Sequence, residues 1–144
     1  MRYAYPAALT RDQDGRWVLS FYDLQGAHTD GATRDEALAQ ASDCLEMAVA
    51  ATLDADEALP PPAPARADEA LVPLSLEMAV KAALIETAKS KNLSADDLAA
   101  RLGMWVAEAA TLLDPWTPSS VDKMTVALKA LGGPALEVAT REVA

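Results

Sequence analysis

Two unlike segments constrain this chain most. Trp17-Val-Leu-Ser-Phe-Tyr-Asp-Leu-Gln-Gly26 alternates its side chains between two faces, the period of a strand, and ends in a turn. Ser94-Ala-Asp-Asp-Leu-Ala-Ala-Arg-Leu-Gly103 and the run on to Leu113 repeat apolar residues at helical spacing around a central glycine, the pattern of a helix-turn-helix. A chain holding both is expected to be α+β. It should carry a small antiparallel sheet with one packed helix first and an all-helical part second.

The strand part divides further. Tyr3–Leu9 reads as a first strand, with Pro6 arguing for an edge or a bulge because it has no N–H to donate. Asp12–Arg16 is a turn around Gly15, and 27–30 a short third strand. Thr33-Arg-Asp-Glu36 has the spacing of a capping box. The helix it opens is expected to run to about Asp56, with Leu38, Ala41, Leu45, Val49 and Leu53 toward the sheet. The prolines of 60–64 stop it, and 69–73 is expected to return as a fourth strand. The expected domains are 1–74 and 75–144. In the second, Ser75 caps a helix bearing Val80, Leu84 and Ala88, Asn92 suits a left-handed stop, and Ser94 with Asp97 forms a second capping box. Ser119 or Ser120 caps the last helix, Gly132-Gly133 ends it, and 136–141 is expected to be a short terminal strand.

Charge and residue inventory narrow the chemistry. The net charge is −10, with −6 up to Arg66 and −4 from Ala67 onward, so neither half advertises a nucleic-acid surface and a basic protein partner fits better. Cys44, the single cysteine, allows no intrachain disulfide and reads as a small packing residue. One histidine, His28, and no glycine-rich phosphate loop leave no metal, cofactor or nucleophile constellation. Asp12, Asp14 and Asp23 fall in turns, whereas a two-metal nuclease needs carboxylates converging from strand centres. No apolar run is long enough to span a bilayer or to act as a signal peptide, so the expectation is a cytoplasmic protein without a membrane partner.

Binding residues remain. Trp17 and Phe21 share a strand face, and Tyr3 and Tyr5 stand on the neighbouring strand; alternating aromatics are core pairs or, at an exposed edge, anchors for a protein. The pattern favours core for Phe21 and leaves the tyrosines open. In the helix-turn-helix, Leu98, Ala99, Leu102, Met104, Ala109 and Leu112 are the expected inter-helix core. Base edges are read by hydrogen-bonding side chains at the start of the second helix. Here that stretch is Trp105-Val-Ala-Glu108, then Ala110 and Thr111, with Thr111 the one ordinary reader.

At this point the chain resembles the HicB family of antitoxins. Met1–Ala7, Gly15–Gly26 with its "DLxG" ending, Thr29-Asp-Gly-Ala-Thr33, the capped helix and Leu71-Val-Pro-Leu74 carry the resemblance, and the C-terminal part is similar to the helix-turn-helix version of the family. The resemblance implies a partial RNase H-like N-terminal domain without nuclease activity. It implies a HicA-like toxin as partner, a small basic ribonuclease that cleaves mRNA, and a homodimer or higher oligomer repressing its own operon. The toxin-contact candidates are Tyr3, Tyr5, Trp17, Tyr22 and Asp23. The DNA-contact candidates are Ser94, Trp105, Glu108, Thr111, Ser119, Ser120 and Lys123. The apolar start of the second helix departs from an operator reader, which counts against autorepression and leaves toxin neutralisation untouched. Two rival readings are a stand-alone DNA-binding transcriptional regulator and a retained RNase H-like hydrolase; the missing carboxylates make the hydrolase the weaker.

Overall fold

The computed structural model describes residues 3–134; the expected strand at 136–141 lies outside them. The chain forms two compact units meeting between Ser75 and Leu76. The architecture is α+β: a four-stranded antiparallel sheet with helices in the first unit and, among the described residues, helices alone in the second.

The first unit is built on β1 (Ala4–Arg11), β2 (Trp17–Ser20), β3 (His28–Gly31) and β4 (Ala70–Pro73), in the order β3-β2-β1-β4. β1 is therefore an inner strand, contrary to the edge expected from Pro6. Its two halves have different neighbours: Ala8–Arg11 pair with β2, and Ala4–Ala7 with β4. The bond from Leu74 N–H to the Tyr3 carbonyl, 2.8 Å, fixes the alternation. Odd residues of this half bond to β4, so the Pro6 nitrogen faces the side where the β2 ladder has already ended. Proline is tolerated because β1 is locally one-sided there.

The same register puts Tyr5 and Ala7 of β1 with Tyr3 just before it, Leu19 of β2 with Phe21 just beyond it, and Val72 with Leu74 of the β4 segment on one buried face. Two helices cover it, α1 (Arg34–Ala39) and α2 (Ala41–Asp54), where one was expected; Gln40 is the junction. Their buried stripe is Ala37, Ala41, Leu45, Val49 and Leu53, so Leu38 gives way to Ala37 in its first turn. Thr33 Oγ1 accepts from Glu36 N–H at 3.1 Å as expected, but the Glu36 carboxylate reaches Ala32 N–H rather than closing a box on Thr33. Small size at Gly31 is required. A Cβ there would stand 2.6 Å from the Ala37 nitrogen, so α1 can approach β3 only over glycine.

The second unit contains α3 (Leu76–Ser90), α4 (Ala95–Leu102), α5 (Val106–Leu112) and α6 (Val121–Ala130). Asn92 takes a positive φ of 53° after α3, and Ser94 with Asp97 closes the expected capping box on α4. Gly103 ends α4 at φ 65°, a left-handed position that an L side chain adopts only under strain. Leu98, Ala99, Ala109 and Leu112 are buried, while Leu102 and Met104 are half-buried. α3 packs on α6; Val80 and Leu84 of the one and Met124, Ala127 and Leu128 of the other are buried.

Candidate functional site

The two units differ sharply in charge. Tyr3–Ser75 holds four arginines and no lysine against thirteen carboxylates, while residues 76–134 hold six basic and seven acidic groups. The acidity of the chain is therefore concentrated in the sheet unit, and most densely along α1 and α2. Residues 34–57 carry seven carboxylates, with Arg34 the single basic residue of that stretch.

The toxin-contact candidates separate into two groups. Tyr3 and Tyr5 lie on the buried face of the sheet, and the Tyr5 hydroxyl donates to the Pro60 carbonyl at 2.8 Å, tying β1 to the proline loop. Neither offers a side-chain surface in this chain, because the β1–β2 register gives odd residues of both strands the helix-covered face. Trp17 shares that face at its margin, and Tyr22 and Asp23 stand beyond the last residue of β2. Trp17 is half-buried, with the Arg11 guanidinium 5.4 Å from its ring centroid, within reach of a cation–π contact. Tyr22 is 47% exposed and donates to Glu69 Oε1 at 2.9 Å; its phenol pKa is raised by desolvation and by that carboxylate. Asp23 Oδ2 accepts from Ala63 N–H at 2.9 Å, so the acid after the aromatic strand anchors the loop whose prolines the sequence marked only as stiff.

An open groove of about 550 Å³ runs beside β3, between its outer side and α2. Its β3 wall includes Gly26, Ala27, His28 and Thr29; its α2 wall includes Cys44, Met47, Ala48 and Ala51. Burial raises the Cys44 thiol pKa, away from the thiolate a catalytic cysteine needs. His28 is exposed on the groove wall, as a surface residue. Among the described residues no cluster of three or more His, Cys, Asp or Glu is arranged to hold a metal ion.

The DNA-contact candidates occupy the helical unit. Ser94 is committed to its cap: its hydroxyl and N–H both bond Asp97 Oδ2, at 3.0 and 2.9 Å. These bonds hold the Asp97 carboxyl below its ordinary pKa. Trp105 caps the start of α5 with no side-chain hydrogen bond and is 83% exposed. Thr111 spends its hydroxyl proton on the Ala107 carbonyl at 3.0 Å. Glu108 accepts from Lys123 Nζ at 2.9 Å. Ser120 caps α6 through Lys123 N–H. The face of α5 that a reading helix would present is thus Trp105, Val106, Ala107 and Ala110, all exposed and apolar.

Sequence reasoning missed Lys81. Its place one residue after Val80 on an otherwise apolar helix face gave no sign that it turns inward, yet it is only 2% exposed. Its ammonium donates to the Thr111 and Thr117 carbonyls at 3.0 and 2.6 Å and to Ser119 Oγ at 2.6 Å. Burial lowers its pKa, opposed by the carboxylates of Asp114 and Glu77. Ser119 is held from the other side, its N–H donating to Glu77 Oε1 at 3.1 Å. One buried cation therefore sets the path of the chain between α5 and α6.

Comparison with known proteins agrees with this layout. The profile of a family described as HicB_like antitoxin of bacterial toxin-antitoxin system matches residues 4–83, the whole sheet unit and the start of α3. The chain is 30% identical over 128 residues to Antitoxin HicB of Escherichia coli (strain K12), covering 89% of this chain and 93% of that protein. It is 31% identical to Antitoxin HicB 1 of Photorhabdus laumondii, covering 89% of this chain and 81% of that one. For Antitoxin HicB 2 of the same bacterium the identity is 32%, with coverage of 89% and 90%. No described helix is long and apolar enough to cross a membrane. A sheet unit matched from its first strand onward, and relatives covered nearly end to end, place this chain in the HicB-like antitoxin family of bacterial toxin–antitoxin systems.

Proposed function

We propose that this antitoxin neutralises a HicA-like toxin in the cytoplasm by binding it directly, catalysing no reaction itself. The observation that carries the proposal is the concentration of negative charge in the unit that the family profile matches. A small basic ribonuclease is drawn to such a surface and held away from RNA, whose phosphates compete for the same cations. Trp17, Tyr22 and Asp23 are the proposed contacts from the strand periphery; Tyr3 and Tyr5 act from beneath, holding the sheet that presents them. The test is RNA cleavage by the purified toxin with increasing amounts of this chain. Inhibition saturating near one equivalent is expected. Full cleavage in a mixture where the two proteins co-elute would refute neutralisation.

A second reading, a DNA-binding transcriptional regulator, is favoured by one feature: α4, the left-handed Gly103 and α5 have the order of a helix-turn-helix. In that reading Ser94, Ser119, Ser120 and Lys123 approach phosphates from helix starts, and Trp105, Glu108 and Thr111 approach bases. The donors of this set are largely engaged within the chain, so binding that discriminates between sequences is not expected. A mobility-shift titration of its promoter against a scrambled duplex distinguishes the readings. The near-neutral helical unit, with Trp105, Val106 and Val126 exposed, is also the proposed surface for self-association.

A further inference from the structure

We propose that the groove beside β3 is a vacant strand position, filled when a cationic protein adds a strand to the edge of the sheet. The inference rests on the toxin-binding reading above and names the surface for it.

Three observations converge on the groove. The first is the free edge. Among the described residues β3 has no neighbour on its outer side. Phe21 N–H bonds the Ala27 carbonyl, so the alternation gives Ala27, Thr29 and Gly31 to β2 and turns the N–H and C=O of His28 and Asp30 outward. An edge of this kind is a template for another strand.

The second is the helix above it. The sheet-facing stripe of α2 is Ala41, Leu45, Val49 and Leu53. A second stripe, Cys44, Met47, Ala48, Ala51 and the following Ala55, faces the groove. Apart from Asp43 and Thr52, the α2 side chains on this lining are apolar or small: Met47 is 64% exposed and its neighbours are small. The stripe leaves a lined space of about 550 Å³ where one more strand could lie beneath the helix.

The third is charge, which selects the occupant. Asp43 and Glu57 line the groove, within the stretch that carries seven carboxylates against Arg34. A strand bearing lysine or arginine could lay its alkyl stems on Met47, Ala48 and Ala51 and bring its charged heads to Asp43 and Glu57. A second copy of this chain would instead bring another unit with thirteen carboxylates against four arginines. The cationic partner is therefore the occupant we assign.

The experiment uses the full chain and its HicA-type toxin in a catalytically inactive form. Ala51→Trp fills the groove from an exposed position, and toxin affinity is measured by calorimetry for both chains. Loss of about 10- to 100-fold is expected, the range for blocking a central contact. Hydrogen exchange on the wild-type chain is the second measurement, independent of how the variant folds. The amides of His28 and Asp30 should gain protection when toxin is added. Toxin binding that leaves both amides unprotected and Ala51→Trp unimpaired overturns the strand position while the antitoxin reading stands. Protection that arises from self-association without toxin assigns the edge to a second copy and overturns our occupant. A wild-type chain that binds no toxin removes both readings together.

Discussion

Replacing Lys81 by methionine keeps the length of the side chain and removes its three donors. The ammonium serves Thr111 O, Thr117 O and Ser119 Oγ, and at 2% exposure water has little access to replace it. Each acceptor left unmet costs about 1–3 kcal/mol where water cannot take the place of the ammonium. Ser119 can recover part of this, since its hydroxyl already lies 3.4 Å from both carbonyls. Removing the buried charge also recovers its desolvation penalty, itself several kcal/mol. The balance is a net loss of about 2–4 kcal/mol, equivalent to a fall of roughly 10–25 °C in Tm for a unit of this size. Tryptophan fluorescence can locate it, because Trp105 and Trp116 report the helical unit and Trp17 the sheet unit. The pH dependence supplies a second arm. The folded pKa of Lys81 lies below the unfolded value of 10.5, so between the two the unfolded chain binds more protons and stability rises with pH. Lys81→Met should abolish that alkaline rise. A variant whose helical transition moves by less than about 0.5 kcal/mol, the scale of an ordinary surface change, would show that the three bonds do not organise the α5–α6 connection.

Other outcomes follow from the same geometry. Gly31→Ala places a methyl 2.6 Å from the Ala37 nitrogen, and the sheet-unit transition followed at Trp17 should fall by about 1–3 kcal/mol. Asp97, held below its ordinary pKa by Ser94, contributes stability that is complete above the unfolded value near 3.8 and lost as pH falls through the lowered folded one. Asp97→Asn should remove that acid dependence from helical-unit melts. Tyr22→Phe deletes an exposed bond to Glu69 and should leave the melting transition unchanged, yet weaken toxin binding in calorimetry.

The sequence exposed the α+β division, the four strands, the capping signals and the helix-turn-helix because each is written in neighbouring residues. Thr33 with Glu36, Ser94 with Asp97, and Gly103 are local patterns with local causes. What it hid depends on register and on packing between distant segments. Tyr3 and Tyr5 look alike as core or as contact until the pairing of Leu9 with Leu19 fixes their face. Pro6 argues for an edge until β1 is seen to change partners after Ala7. Lys81 is legible only once Thr111, Thr117 and Ser119 arrive from thirty to thirty-eight residues away. The groove beside β3 had one sign in the sequence: a helix too poor in charge on its second face, between Cys44 and Ala55.

The change of partners along β1 also orders events during synthesis. The ladders from β1 to β2 and from β2 to β3 close over short hairpins, whereas Ala4–Ala7 must wait for Ala70–Pro73. That pairing spans more than sixty residues, and loop-closure entropy makes such contacts late. At about 5–20 residues per second, the stretch from Gly31 to Ala70 takes roughly 2–8 s to emerge. For that interval the nascent chain carries a half-strand whose β4-facing backbone groups are open. Pro6 does not blunt that edge, because its missing donor faces the opposite side; the Tyr5 and Ala7 backbone groups stay open to a neighbouring nascent chain until β4 arrives.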